Sequence, residues 1–158
     1  MRLSCLAVVL AIGVGGCTAQ PFGALPAQSK TDREAQIISA SQAVKTGNFE
    51  VAEQLLAGYM YRDATGELLF KSLSVSSDVE KQAVETVSLM LWDTGRDATL
   101  ERFSKRYLSG YERDVMLCRL AERSAIYEKA YNCWNDLGDV DRARRTVRTE
   151  SALRILKD

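Results

Sequence analysis

The side chains that could carry out chemistry in this sequence are four cysteines and 21 acidic residues, because the chain contains no histidine. Without an imidazole there is no histidine general base, no histidine-based catalytic triad and no histidine pH switch. Carboxylate pairs can be drawn on any helical chain with so many acids, so no single pair indicates acid–base catalysis. The sequence shows no phosphate-binding glycine loop and no metal-ligand spacing. These residue types disfavour an enzyme and predict neither a metal nor a cofactor.

The composition is that of one ordinary globular domain. The chain has 158 residues, of which 46% are hydrophobic and 27% charged, and its 21 basic side chains balance its 21 acidic ones. This balance excludes a disordered tail, a fibre and a nucleic-acid binder that acts through bulk charge. Both prolines, Pro21 and Pro26, precede residue 27, so no proline interrupts long helices in the rest of the chain.

Cys17 follows a segment with the layout of a bacterial secretion signal. Arg2 provides a positive start, and Leu3 to Val14 is an almost wholly apolar run of twelve residues, too short for a permanent membrane span. The run ends in Val14-Gly15-Gly16-Cys17, which resembles the lipobox of bacterial lipoproteins, with valine in place of the commoner leucine. The resemblance implies removal of a signal peptide at 1–16 and acylation of the Cys17 thiol by fatty acids such as palmitate. The alternative is an ordinary cleavable signal with a cysteine after it by chance.

The residues after Cys17 bear on location. In the sorting pattern of Gram-negative lipoproteins, threonine in place of aspartate at Thr18 implies an outer-membrane anchor with the domain facing the periplasm. Two or three acyl chains, at about 0.8 kcal/mol per buried methylene, hold a soluble domain on a membrane without spanning it. Residues 17–30 are rich in small and polar residues, which is typical of a flexible tether to a folded domain at 31–158. An ordered arm that lies on the domain through Phe22 and Leu25 is the alternative.

Cys118 and Cys133 remain as a pair once Cys5 leaves with the signal and Cys17 is acylated. In an oxidising compartment such a pair favours a structural disulfide. On one straight helix a fifteen-residue separation would place the two about 22 Å apart, so a bond requires a helix-to-helix turn between them. Two buried free thiols are the alternative, because no glycine or proline marks a turn there.

Past residue 30, apolar residues recur at every third and fourth position between glycines that punctuate the chain. This pattern predicts an all-α body with helices near 31–46, 49–62, 78–94, 97–108, 111–123, 125–137 and 139–156. Two helix starts agree with it: Thr31-Asp32-Arg33-Glu34 has the form of a capping box, and Ser77-Asp78 precedes a long helical stretch. The one strand-like alternation is Leu73-Ser74-Val75-Ser76.

Two hexapeptides share one outline, Gly47-Asn48-Phe49-Glu50-Val51-Ala52 and Gly138-Asp139-Val140-Asp141-Arg142-Ala143, and Gly95-Arg96-Asp97-Ala98 is a degenerate copy with its alanine two places early. Each resembles the turn between the two helices of a tetratricopeptide repeat. The resemblance implies a right-handed α-solenoid of about three irregular helix pairs. From Gly47 to Gly95 is 48 residues and from Gly95 to Gly138 is 43. Because the tetratricopeptide period is ~34, extra segments must intervene, and an irregular helical bundle is the alternative.

Tyr127, Tyr131 and Trp134 form an aromatic stripe at i, i+4 and i+7 of a predicted helix, with Tyr107 and Tyr111 upstream. Such a stripe could line a peptide groove, so these three are the candidate partner-binding residues. Core packing is the alternative, since aromatic residues at helical spacing usually bury against neighbours. We expect Trp134 to be core and Tyr127 to be the contact.

Stacked helix pairs present concave surfaces and seldom hold an active site, and a lipid tether would keep such a surface beside the membrane. The tetratricopeptide-like lipoproteins that this chain resembles include secretin pilotins, pilus-assembly lipoproteins and components of outer-membrane protein insertion. The resemblance implies a non-catalytic periplasmic adaptor that binds a segment of a secretin, pilus or secretion-system component and assists assembly or targeting of that machine. The alternatives are a regulator of peptidoglycan synthases or hydrolases and, less favoured, a peptidoglycan-active enzyme.

Overall fold

The computed structural model describes residues 28–155, without the side chain of Ile155, and this part of the chain is predominantly helical. Its elements are α1 (Lys30–Lys45), α2 (Phe49–Leu56), β1 (Met60–Arg62), β2 (Leu68–Phe70), α3 (Ser77–Asp93), α4 (Asp97–Tyr107), α5 (Gly110–Arg123), α6 (Tyr127–Asp136) and α7 (Val140–Ile155). The all-α prediction is confirmed at the level of class. The predicted signal peptide, the predicted lipidation site Cys17 and all of the predicted tether before Gln28 lie outside the described residues. Within residues 28–155, no helix combines the length and the apolar character needed to cross a bilayer.

A small β-hairpin corrects the helix predicted near 49–62. The helix α2 ends at Leu56, and β1 then pairs antiparallel with β2, with Tyr61 opposite Leu69. The hairpin turn is fixed by Asp63, whose Oδ1 accepts the backbone N–H groups of Thr65 and Glu67, each at 2.9 Å. The strand-like stretch 73–76 forms no strand.

Packing against α4 explains why the hairpin prevails over helical periodicity. The Phe70 ring meets the rings of Phe103 and Tyr107 edge-on, with centroids 5.7 and 5.2 Å away. The backbone N–H of Phe70 also donates to the Tyr107 hydroxyl at 2.8 Å. These contacts come from residues more than thirty positions along the chain, so local patterning cannot reveal them.

The start of α1 differs from the predicted capping box. Ser29 is the N-cap: its hydroxyl accepts the N–H of Asp32, and the Asp32 carboxylate accepts the N–H of Ser29. Glu34, the acid of the predicted box, instead accepts the N–H of Ser76 at the start of α3, at 2.9 Å. That hydrogen bond lowers the pKa of the Glu34 carboxyl and ties α1 to α3.

Four turns between consecutive helices share one backbone geometry. Each has a residue with positive φ: 76° at Gly47, 68° at Gly95, 56° at Ala125 and 78° at Gly138. The next N–H donates to the carbonyl five residues earlier, as from Asn48 to Ala43 at 2.8 Å. The hydrogen bonds are those of the Schellman motif that ends many helices.

A side chain five residues after each positive-φ residue is buried where the next helix approaches the one before it, namely Ala52, Leu100, Ala130 and Ala143. The repeat therefore has four copies in the described part of the chain. In the Gly95 copy, the register assigned to Ala98 is wrong, because Ala98 is exposed and Leu100 takes the buried position. The copy at Ala125 escapes a search for glycine, although it supplies the turn that a bond between Cys118 and Cys133 requires.

We expect Ala125→Gly to stabilise the protein. An L-residue with positive φ is disfavoured by about 1–2 kcal/mol, whereas glycine is not. Part of this gain is offset because glycine loses more backbone entropy on folding, so the net gain is about 0.5–1 kcal/mol. The matched control is Gly138→Ala, where an added Cβ meets no atom within 4 Å and only the backbone is strained. Thermal unfolding should move in opposite directions for the two variants, and a shift of the same sign would contradict the argument.

The core consists of two apolar clusters. The larger one joins α1 to α4, the hairpin and part of α5, with Ile37, Leu56 and Phe103 among its fully buried members. The smaller one consists of Cys118, Trp134 and Ala143, one each from α5, α6 and α7. Helix α1 packs on both α2 and α3, whereas α5 packs on α4 and α6, and α6 on α7. Helix α5 thus contributes to both clusters, through Leu120 to the larger and through Cys118 to the smaller, whereas Trp134 of α6 and Ala143 of α7 belong to the smaller one.

Candidate partner-binding surfaces

Trp134 lies inside the small C-terminal core, with 2% of its surface exposed. The guanidinium of Arg142 stacks over the indole, its Cζ 4.1 Å from the ring centroid, and Nη2 of the same arginine lies 3.0 Å from Glu122 Oε2. The indole is therefore closed off by an arginine that α5 holds in place. Trp134 supports the surface but does not offer its ring to a partner.

Tyr127 occupies a different position from Trp134. It is half-buried and lines a cleft of about 430 Å³ between α5, α6 and α7, whose other lining residues are Glu122, Arg142, Arg145, Thr146 and Thr149. We call this the Tyr127 cleft. Tyr131 is 37% exposed on α6 and is not part of the cleft lining. Of the three residues selected from the sequence, Tyr127 thus lies in a cleft, Tyr131 on an open surface and Trp134 in the core.

The charges of the Tyr127 cleft are only partly matched internally. Glu122 binds Arg142 and also accepts the Thr146 hydroxyl at 3.2 Å. Arg145, which lines the cleft from α7, has no carboxylate of residues 28–155 within 4.0 Å. A partner carboxylate could bind Arg145 while its neighbouring side chain packs on Tyr127, because charged arginine and aromatic surface are the typical anchors of protein interfaces.

A second opening lies between α3, the end of α4 and the start of α5. It measures about 650 Å³, and its apolar lining consists of Val84, Tyr107, Leu108 and Tyr111. Tyr111 is 67% exposed. We call this opening the α3–α5 groove. Sequence reasoning noted Tyr107 and Tyr111 only as aromatic neighbours of the stripe, because the groove exists only when three separate helices come together.

The carboxyl groups of the described chain with shifted pKa values remain charged at neutral pH. The Ser76 backbone N–H lowers the pKa of Glu34, the Thr65 hydroxyl lowers that of Asp63, and the Lys105 ammonium lowers that of Glu101. A general acid requires the opposite shift. Among the described residues, no three cysteine or acidic side chains come together in a way that could hold a metal ion.

No protein-family model matches this chain, and no curated protein or solved structure is significantly similar to it.

Proposed function

We propose that this protein is a lipid-anchored adaptor on the periplasmic side of a Gram-negative outer membrane, where it binds a segment of another envelope protein. The partner would be a secretin, pilus or secretion-system component whose assembly or targeting the adaptor assists. The observation that carries the proposal is the Tyr127 cleft, which is lined by an aromatic ring and by Arg145, an arginine that has no ion-pair partner among residues 28–155. The lipobox-like Val14-Gly15-Gly16-Cys17 supplies the anchor.

The arrangement of the helices supports a tetratricopeptide-like right-handed solenoid of about three irregular pairs. Four turns share one geometry with a buried aliphatic residue at the same offset, and α1 packs on α3 as equivalent helices of adjacent pairs do. The hairpin between α2 and α3 accounts for the long spacing between Gly47 and Gly95, because it inserts a segment between two helix pairs.

The anchor is tested by Cys17→Ser. Removing the thiol removes the acylation site, so we expect the protein to move from the membrane fraction and the detergent phase to the aqueous phase. Cys5→Ser is the matched control. Because Cys5 would be removed with the signal peptide, this change should not alter partitioning. An unaltered membrane-bound fraction for Cys17→Ser would refute lipidation.

The adaptor role is tested by Tyr127→Ala. Truncation of an interface tyrosine at a hot spot weakens binding by about 2 kcal/mol or more, so we expect recovery of the partner from detergent-solubilised envelope to fall at least tenfold. The melting temperature should change little, since Tyr127 is half-exposed. The control is Tyr61→Ala, a remote exposed tyrosine on β1.

The identity of the captured protein separates the two binding roles. Mass spectrometry that identifies a secretin, pilin-assembly or secretion-system component supports the proposal. A peptidoglycan synthase or hydrolase, lost in the same Tyr127→Ala variant, would replace it with the regulatory role. If Tyr127→Ala and Tyr61→Ala capture equal amounts of the partner, the Tyr127 cleft does not bind it.

A further inference from the structure

We propose that the α3–α5 groove is a second docking site, and that it takes a partner segment with an apolar side chain flanked by lysine or arginine residues. The groove shares no residue with the Tyr127 cleft. The inference therefore goes beyond the proposed adaptor role, and either one can fail without the other.

The groove lies between the first turns of α3 and of α5. Helix α5 packs mainly on α4 and α6, and it reaches α3 near the end of that helix, where Arg123 stacks on Trp92. Nearer the start of α3, Val84 lines the opening, although only 9% of its surface is exposed. An apolar side chain in this opening would lie between Val84 of α3 and Tyr111 of α5.

The floor of the groove is rigid before any partner arrives. Tyr107 is held by two contacts: its hydroxyl accepts the Phe70 N–H at 2.8 Å, and its ring centroid lies 4.7 Å from that of Phe103. A preorganised floor loses little side-chain entropy on binding. Tyr111 on the rim is 67% exposed, so it offers a large aromatic area that a partner could cover.

The rim of the groove is acidic, and this decides the charge of the partner. Three carboxylates line it, from Glu80, Glu85 and Glu112, and the cations beside them are Lys81 and Arg106. Arg106 is already occupied, because its Nη1 lies 3.6 Å from Glu67 Oε1 outside the groove. Among residues 28–155, no basic side chain lies within 4.0 Å of any of the three rim carboxylates. Lys81 is the one lining cation of residues 28–155 that is not bound to an acid outside the groove, so three carboxylates face one free ammonium group. The remaining negative charge favours lysine or arginine in the segment that docks there.

The test uses defined peptides and the full-length chain purified in detergent. The probe is a fluorescein-labelled nonapeptide with one phenylalanine between two pairs of lysines, and binding is followed by fluorescence anisotropy at low salt. One matched peptide carries glutamate in place of every lysine, and another carries alanine in place of phenylalanine. We expect saturable binding of the probe that weakens at least tenfold for each matched peptide and weakens with added salt.

Protein variants then locate the binding. Tyr111→Ala should weaken binding of the probe at least fivefold, as should the combination of Glu80→Gln with Glu85→Gln. The control combines Glu50→Gln with Asp136→Asn, which removes the same charge from exposed positions outside the groove and should leave the affinity unchanged. Each variant is first checked for an unchanged melting temperature.

Three results would overturn the inference. The first is equal affinity for the lysine and glutamate peptides, and the second is an unchanged affinity for Tyr111→Ala. The third is a dimer in sedimentation that dissociates with Tyr111→Ala and with Arg144→Glu on the exposed face of α7, since the occupant would then be a second copy of this chain. All three leave the Tyr127→Ala capture experiment unaffected.

Discussion

Trp134→Ala is expected to lower the free energy of unfolding by about 3–5 kcal/mol, the usual range for removal of a fully buried aromatic side chain. The effect should be near the top of that range because the cluster around Trp134 has only Cys118 and Ala143 as its other fully buried members. Truncation would also take away the ring on which Arg142 stacks. Differential scanning calorimetry or denaturant unfolding measures the change.

Two variants distinguish core packing from surface chemistry at this position. Trp134→Phe keeps an aromatic ring and should be less damaging, because the indole Nε1 has no hydrogen-bond partner in the described structure and none is lost. Tyr131→Ala, one turn earlier on α6 and 37% exposed, should change stability by no more than about 0.5 kcal/mol. A Trp134→Ala protein that melts normally but no longer captures its partner would instead assign the ring to the contact surface.

Trp134 is one of two tryptophans held in the same way. The guanidinium of Arg123, at the end of α5, lies 3.4 Å from the ring centroid of Trp92 and donates to Asp97 at 2.9 Å. Arg142 of α7 repeats this arrangement over Trp134 with Glu122 as the acid. In both cases an arginine from a later helix covers a tryptophan near the end of an earlier one and binds an acid. Cation–π and ionic contacts thus link α5 to α3 and α4, and α7 to α5 and α6.

The helices of this protein could be predicted closely from sequence because their apolar residues keep a helical period over long stretches. Seven helices were expected and seven occur in the described residues, each displaced by a few residues apart from the one near 49–62. The sequence predicts the break between helices near 111–123 and 125–137, but two details of the repeated turn, the positive φ of Ala125 and the buried Leu100, were missed for one physical reason. The Schellman geometry fixes backbone hydrogen bonds and a buried position, while the residue types at those sites remain free to vary.

The candidate binding surfaces were harder to predict than the helices. Trp134 was expected in the core and Tyr127 at the surface, and Trp134 is indeed the more deeply buried of the two. Helical spacing places both residues on one stripe, but their depth within the helical body decides which ring is enclosed. The α3–α5 groove had no local signal. The groove depends on the packing of α5 on α4 and α6. The apolar periodicity of α5 predicts which of its faces is buried, but not which helices cover that face.

Breaking the Cys118–Cys133 pair is the second change for which we expect a large loss of stability. The two Cα atoms are 5.4 Å apart across the α5–α6 turn, with the sulfur atoms at bonding distance. A bond across this fifteen-residue separation contributes about 3 kcal/mol by restricting the unfolded chain. Its loss should affect the packing of α6 and α7 on α5 most, because the bond joins α5 to α6 and the cluster of Cys118, Trp134 and Ala143 around it is small. The combination of Cys118→Ala with Cys133→Ala should therefore melt well below the oxidised protein.

Reduction of the unmutated protein separates the bond from the packing of its sulfur atoms. Cys118 is fully buried, so its truncation to alanine also creates a small cavity, whereas dithiothreitol removes only the bond. We expect the reduced protein to melt between the oxidised protein and the double alanine variant. Non-reducing mass spectrometry after alkylation provides the chemical control, and Cys118 and Cys133 should both escape modification until reductant is added. Two alkylated thiols in protein from the periplasm, with a melting temperature that reductant does not change, would instead establish two free thiols, and α5 and α6 would then be joined by the turn and by noncovalent packing alone.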